Sequence, residues 1–411
     1  FNAWKYTTGD NRVVVAVVDG GIMAEHPDLK DNMWVNEAEK SGLAGVDDDG
    51  NGYVDDIHGW NCVRDCGDVT ADAHGTHVAG TIAAVNNNGL GVGGVAGGSG
   101  KGDGVKMMSC QVFSGKSTAT TGARAQAYHY AAHNGASVLQ CSYGQPAGYM
   151  TSDNGFEQAY HAEVVALRYF RDFGNKVNGS PVNKNIVVFA SGNDGASISG
   201  YPAAHREFIS VSAFGPDFLP TNYTNYGPGV NISAPGGDVA INLTANSDRA
   251  MILSTTAKES SNYDTDYGWM QGTSMACPHV SGVVALGLSY ALKINKTFDY
   301  KDFVAILYSS VNDIDYYIET CTKKSNGVSF DLTPFWKQMG TGAVDTWKFL
   351  MNLEGTPNLV AKVGEDAKVS LVPIFGEPAA NLTYTKIEVG QEAKDALGIE
   401  GTPYIKNGHL Y

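Results

Sequence analysis

No Lys/Arg-rich run occurs in the chain, and its overall sign is the opposite of what a phosphate backbone selects: 28 Lys+Arg stand against 43 Asp+Glu, a formal net charge of −15. Nucleic acid is excluded as a partner on that ground. No stretch approaches ~18 consecutive apolar residues, so no transmembrane segment is expected. Charge of either sign is scarce, at 17% of 411 residues against roughly 25% in ordinary soluble domains. Cysteine is thin too. Cys62, Cys66, Cys110, Cys141, Cys277 and Cys321 contain no CxxC pair, which excludes a zinc module of that kind. The spacing is compatible with a short Cys62–Cys66 disulfide, with free thiols or with a bridge to Cys321. Cys110 and Cys141 lie in apolar runs, where small buried hydrophobes are expected. Phe1-Asn2-Ala3-Trp4 has neither an initiator Met nor a charged n-region, so a processed chain is expected.

What the chain has in excess is glycine, 50 residues, well above the usual ~7%. Its 43% hydrophobic content is ample for a core. Continuous apolar runs at 13–18, 105–113, 136–141, 186–190 and 208–213 read as strands buried on both faces. Helical patterns at 74–86, 121–133, 156–173 and 274–293 alternate with them. That alternation predicts an α/β fold, a parallel sheet with helices on both faces and its site at the carboxyl ends of the strands. The pattern changes near Gly355-Thr356-Pro357 to short alternating strands. Two units are therefore expected, an α/β domain over 1–355 and a β-rich segment over 356–411, too short for a full immunoglobulin-like sandwich.

Three motifs fail on inspection. Gly91-Val92-Gly93-Gly94-Val95-Ala96 follows a helix-like segment where a dinucleotide loop follows a strand, and Cys110 occupies the first glycine position a phosphate loop ending in Gly115-Lys116-Ser117 requires. His74-Gly75-Thr76-His77 lacks the Glu of a zinc peptidase helix. No organic cofactor is expected. Three other segments place acid-base groups at element boundaries. Asp19 ends the first apolar strand and is followed by Gly20-Gly21, which let other backbone approach. His74 opens a helix rich in small residues. Ser274, in Gly272-Thr273-Ser274-Met275-Ala276-Cys277-Pro278-His279, starts another, where helix N–H groups favour developing negative charge. Singly, these residues read as a strand-end acid, a helix-start histidine and an N-cap.

Together, in the order Asp19, His74, Ser274, and with His26-Pro27-Asp28-Leu29 and Ala190-Ser191-Gly192-Asn193-Asp194-Gly195, they resemble the subtilisin-like serine peptidases of the bacterial secreted type over roughly residues 1–355. The resemblance implies a subtilisin-like fold and a secreted or cell-envelope endopeptidase whose partners are protein or peptide substrates and its own cleaved prodomain. It implies Ser274 as nucleophile, His74 as general base, Asp19 as the acid that orients the imidazole, and Asn193 as an oxyanion donor beside the Ser274 N–H. It also implies Ser142, Tyr143 and Gly144 as the segment that pairs with extended substrate. One departure stands out. The family usually carries Ser or Thr after the acid, and this chain has Gly20, so a hydrogen bond to the carboxylate is expected to be missing. His77 and His279, each about a turn from a catalytic position, are expected to serve packing. An inactive peptidase-like scaffold acting as a calcium-dependent binding module is the competing class, and the four filled catalytic positions speak against it.

A second constellation runs Asp47-Asp48-Asp49-Gly50-Asn51-Gly52-Tyr53-Val54-Asp55-Asp56-Ile57-His58. Asp47, Asp49 and Asn51 alternate as in the first half of an EF-hand loop, where oxygens converge on a hard cation. His58 stands where the closing Glu belongs, so Asp56 or Asp55 must close the shell, with the Tyr53 carbonyl as a backbone ligand. Structural calcium is the expected cofactor. The pair formed by His26-Pro27-Asp28-Leu29 and the loop 86–92 also resembles a family calcium site, one that uses an N-terminal side chain ahead of the present first residue. The insertion 145–184 is expected to shape the rim of the substrate cleft.

Overall fold

Alternation along the first strand decides which layer the acid joins. Odd and even residues of a strand point to opposite faces. Val13, Val15 and Val17 enter one core together with Ile82, Val280 and Val284, while Val14, Ala16 and Val18 enter a second with Tyr128, Leu167 and Phe170. Asp19 continues the odd series and so faces the layer that carries His74 and Ser274. The computed structural model describes residues 2–114, 117–174, 179–241, 247–257, 266–318 and 322–355, with 368–371, 381–384, 387, 394 and 402–411.

The strands of the main sheet are β1 (Val14–Gly20), β2 (Gly59–Asn61), β3 (Lys106–Ser114), β4 (Ser117–Thr118), β5 (Val138–Cys141), β6 (Ile186–Ala190), β7 (Ile209–Phe214) and β8 (Ile232–Pro235). They are ordered β8-β7-β6-β5-β1-β3-β2, all parallel, with β4 folded back antiparallel on β3. Ala343–Val344 extends the sheet beside β8, and Val311–Asn312 closes that edge antiparallel. On one face lie the helix Ala73–Ala83 and the long helix Thr273–Lys293; on the other lie Thr121–His133 and His161–Phe173. In the long helix Val280, Val284 and Leu288 are fully buried at helical spacing, each side chain contributing about 1.5–3 kcal/mol. That helix is long and apolar enough to span a bilayer by composition, yet it is mostly buried inside the fold as the central core helix.

The main expectations hold, with local differences that have physical causes. The helix expected over 156–173 is two, Asp153–Ala159 and His161–Phe173, broken where Tyr160 leaves helical geometry at φ −124° and ψ 38°. The helix at 74 ends at Ala83 because Ala84 turns extended (ψ 139°). Strands β2 and β8 carry no long apolar run and went unpredicted; neighbouring strands supply their pairing. Small antiparallel pairs also form, Ile252–Thr255 with Tyr267–Met270 and Thr322–Ser325 with Val328–Asp331. Near the end of the chain Val369–Ser370, His409–Leu410 and Ile405–Lys406 pair in a third. Most of the strands expected after 356 lie outside the described residues. Cys62 and Cys66 are free thiols, as are Cys110, Cys141 and Cys277; Cys321 lies outside the described residues.

Candidate active site

Three carboxyl ends of adjacent strands build one floor: Asp19 on β1, Ser142 just after β5 and Asn193 just after β6. The helices then deliver the other groups to it. Asp72 caps Ala73–Ala83, accepting from His74 N (2.9 Å) and Gly75 N (3.2 Å), so His74 sits in the first turn. Gly75 lies so close to β1 that a Cβ there would stand 2.0 Å from the Gly20 carbonyl oxygen. This approach lets His74 Nδ1 meet Asp19 Oδ1 at 2.7 Å. Asp19 is buried, whereas the His74 side chain is 40% exposed and open to the cleft. Asp19 Oδ1 also accepts from Gly20 N at 2.7 Å, while Oδ2 is buried without a partner, as the missing hydroxyl after the acid predicts. Burial opposes charge on the imidazole, but the charge and hydrogen bond of Asp19, with Asp72 adding to them, outweigh it and raise the His74 pKa above its ordinary value.

Ser274 is the second residue of Thr273–Lys293, entered through Gly272 at φ 148°, a conformation that favours glycine. Its hydroxyl donates to the Ser142 carbonyl (3.1 Å), and the Ser142 hydroxyl donates back to the Ser274 carbonyl (2.8 Å). The two segments are thereby locked together. No hydrogen bond joins Ser274 Oγ to His74 in this arrangement, so the expected Ser–His contact is not yet made. Asn193 Oδ1 accepts from both Thr273 N (2.8 Å) and Thr273 Oγ1 (2.9 Å). That pair of donors fixes the amide orientation and turns Nδ2 outward. The position a Gly272 Cβ would take is 3.5 Å from Asn193 Nδ2 and 3.6 Å from Ser274 N, so the two donors border a common space. Ser142, Tyr143, Gly144, Asn193 and Ser274 line one cavity of about 490 Å³. A larger hollow of about 1150 Å³ lies beside the acidic loop and includes none of Asp19, His74, Asn193 or Ser274; the smaller one is lined by Asn193 and Ser274, and by neither Asp19 nor His74.

The neighbouring candidates are chemically quiet. Burial pushes the Cys277 thiol up to about 12, which leaves it protonated. His77 is buried, bonded through Nε2 to the Ile252 carbonyl at 3.0 Å, and burial draws its pKa down to about 4. His279 Nδ1 lies 2.8 Å from the Met275 carbonyl oxygen.

In the acidic loop the structure brings together more than the expected set. Carboxylate oxygens of Glu39, Asp47 and Asp49 all lie within 4.8 Å of one another. Asp49 Oδ2 and Asp56 Oδ1 both accept from Asn36 Nδ2 (2.9 Å each), and Asn51 Nδ2 bonds Asp49 (3.0 Å) and Asp56 (3.3 Å). Asp55 turns away to the Gly45 N–H (2.8 Å), so of the two candidate closing acids Asp56 is the inward one. Asp56 is fully buried; burial raises its pKa to about 6 against the hydrogen bonds of Tyr130, Asn36 and Asn51. Tyr53 packs its ring edge-on against Trp60 and Tyr130 at 4.8 Å. Buried Glu39, from the short helix Glu37–Ser41, holds the loop through the N–H groups of Asp48 and Asp55. It lies outside the loop motif, and the spacing of the loop residues carries no signal for it; it is the one residue of its helix that is buried. Asp28 does meet the loop 86–92, accepting from Asn88 Nδ2 (2.6 Å) and Val92 N (2.9 Å).

The Subtilase family model matches residues 10–322, and the chain belongs to that family. Halolysin of Haloferax mediterranei is 31% identical over 288 residues, covering 70% of this chain and 44% of its own length. An extracellular protease of Xanthomonas campestris pv. campestris is 33% identical over 305 residues, covering 70% of this chain and 46% of its own. The chain thus spans less than half the length of these curated relatives. A solved protease structure from Pseudoalteromonas arctica is 28% identical with a TM-score of 0.57, covering 86% of this chain and 93% of that one. The prenylagaramide maturation protease PagA shares the fold at 21% identity and a TM-score of 0.56, covering 86% of this chain and 97% of that one.

Proposed function

We propose that this chain is the catalytic part of a secreted, calcium-stabilised serine endopeptidase. The observation that carries the reading is the 2.7 Å Asp19–His74 bond on the same edge of the sheet as a cavity lined by Ser274 and Asn193. Substrate lies extended along Ser142-Tyr143-Gly144, paired through backbone so that binding tolerates many sequences. The Ser274 hydroxyl leaves the Ser142 carbonyl, donates its proton to His74 Nε2 and attacks the scissile carbonyl carbon. The resulting oxyanion accepts from Asn193 Nδ2 and the Ser274 N–H. His74 then protonates the leaving amine, and the acyl-enzyme is released by a water that His74 deprotonates. Asp19 stays ionised throughout, fixing the imidazole through Nδ1 and stabilising its cation.

The crowd of Glu39, Asp47, Asp49 and Asp56 fits a hard cation, since no Lys or Arg among the described residues neutralises it and two of the four are buried. These carboxylates, Asn51 and the Tyr53 carbonyl would hold calcium there, and the ion would supply the positive charge that offsets their repulsion. Residues 1–355 form the peptidase unit and 356–411 a separate β-rich segment; a prodomain removed during maturation is a natural partner. The extracellular protease among the relatives supports secretion. A fluorophosphonate probe tests the reading: one label on the folded, calcium-loaded protein, lost in Ser274→Ala. Folded protein that takes no label would overturn it.

A further inference from the structure

Gly20 breaks the family pattern beside the catalytic acid, and the structure assigns an occupant to the space it leaves. A Cβ on Gly20 would fall 2.3 Å from Asp72 Oδ1, 2.5 Å from its Cγ and 2.6 Å from its Cβ. The Asp72 side chain therefore rests directly against the residue after Asp19. It is pinned there three ways: its N–H donates to the Gly21 carbonyl (2.7 Å), and its Oδ1 accepts from His74 N and Gly75 N. No Ser or Thr side chain fits between them. Where the family offers the catalytic acid a hydroxyl, this chain offers the histidine a second carboxylate.

We propose that Asp72 is a positioning residue for His74. It docks the first turn of the helix on β1 and supplies a second negative charge that favours the imidazolium formed during turnover. The inference rests on the peptidase reading above, but its charge effect is a property of His74 alone. The groups facing His74 are few. Asp19 comes from β1 and Asp72 from the helix start. His77, farther along the same helix, is buried, and His279, on the long helix, is partly buried; desolvation draws the pKa of each down, which favours the neutral ring. Strand β3 carries only buried Cys110 nearby, because Lys106 pairs with Val14, at the opposite end of β1 from Asp19. Ile252–Thr255, packed on the helix, has no titratable residue. Asp19 and Asp72 are therefore the only charges at neutral pH among these groups.

The test is Asp72→Asn, because asparagine caps a helix about as well as aspartate while removing the charge. NMR titration of His74 in the Ser274→Ala background, with and without Asp72→Asn, should show its pKa falling by about half a unit in the charge-free variant. In the active enzyme the acid limb of kcat/KM should move down by the same amount, leaving the variant roughly threefold faster than wild type below the limb when each is scaled to its plateau. Salt at 1 M should shrink the difference, since the charge is partly exposed and screened. Asp72→Ala removes cap and charge, and should add a loss of melting temperature to the same shift. An unchanged His74 titration overturns the charge role. A loss of activity equal at every pH in both variants, with no shift of the limb, reduces Asp72 to a helix cap and overturns the proposal as well. Wild-type enzyme that takes no fluorophosphonate label would sink the peptidase reading, while the titration still decides the role of Asp72.

Discussion

Asn193→Ala isolates the oxyanion donor more cleanly than any other substitution here. Asn193 is exposed, and its amide is held by two bonds to Thr273, at 2.8 and 2.9 Å. Truncation therefore removes an exposed side chain and forfeits two hydrogen bonds of about 1 kcal/mol each. The melting temperature should fall by only a few degrees. The transition state loses more. A preorganised amide aimed at a developing oxyanion is worth about 3–4 kcal/mol, a value established in subtilisin itself, so kcat should drop roughly 10²- to 10³-fold. KM should hold, because the donor faces a charge absent from the bound substrate. Thr273→Val makes a graded control: it keeps the N–H that holds Asn193 Oδ1 and removes the hydroxyl, so the amide loosens without being lost and kcat should fall by about tenfold or less. The assay is pre-steady-state acylation with a chromogenic peptide ester alongside steady-state kinetics on an amide. If Asn193→Ala keeps kcat within threefold of wild type, or raises KM with kcat intact, the oxyanion assignment fails.

Other outcomes follow from the same geometry. His74 works as a base only when neutral, and its pKa is raised, so kcat/KM should fall as pH drops through a value above 6.5, the ordinary histidine pKa; a rate flat from pH 5 to 9 contradicts the base. Glu39→Gln should abolish most of the calcium-dependent rise in melting temperature, read in the Ser274→Ala background to avoid self-digestion, whereas Asp55→Asn, whose carboxylate turns away, should keep it. A chelator that leaves the wild-type melting curve unmoved removes the structural ion altogether. Gly75→Ala drives a methyl into the Gly20 carbonyl oxygen, and should cost activity at every pH by pushing His74 off Asp19. Wild-type kcat/KM in that variant contradicts the close docking.

Much of this protein was legible before any fold was in view. The runs at 13–18 and 186–190 could be read as doubly buried strands because every residue in them is apolar, and a parallel strand is the element that needs that. Asp19, His74, Asn193 and Ser274 were named from motif and order, and the tertiary structure gathers Asp19 with His74 and Ser274 with Asn193 on one edge of the sheet. The alternating oxygen side chains of Asp47, Asp49 and Asn51 are equally a matter of spacing, and the structure draws Asp47 and Asp49 together with Glu39. These are local or linear properties: period, spacing and residue type survive in one dimension.

The remaining features arise from contacts between segments distant in sequence. Glu39 joins the acidic loop from a separate helix, and nothing in the loop's spacing points back to it. The choice of Asp56 over Asp55 depends on backbone rotation at Asp55, where φ is 55°, which aims one carboxylate in and its neighbour out. Thr273 orients Asn193 across 80 residues of chain. Most of all, Gly20 looked like a lost hydroxyl beside the acid, and the fold shows the same absence as room for Asp72, 52 residues later. A sequence records which side chain is missing; only packing, in which two atoms cannot share one volume, shows what fills its place.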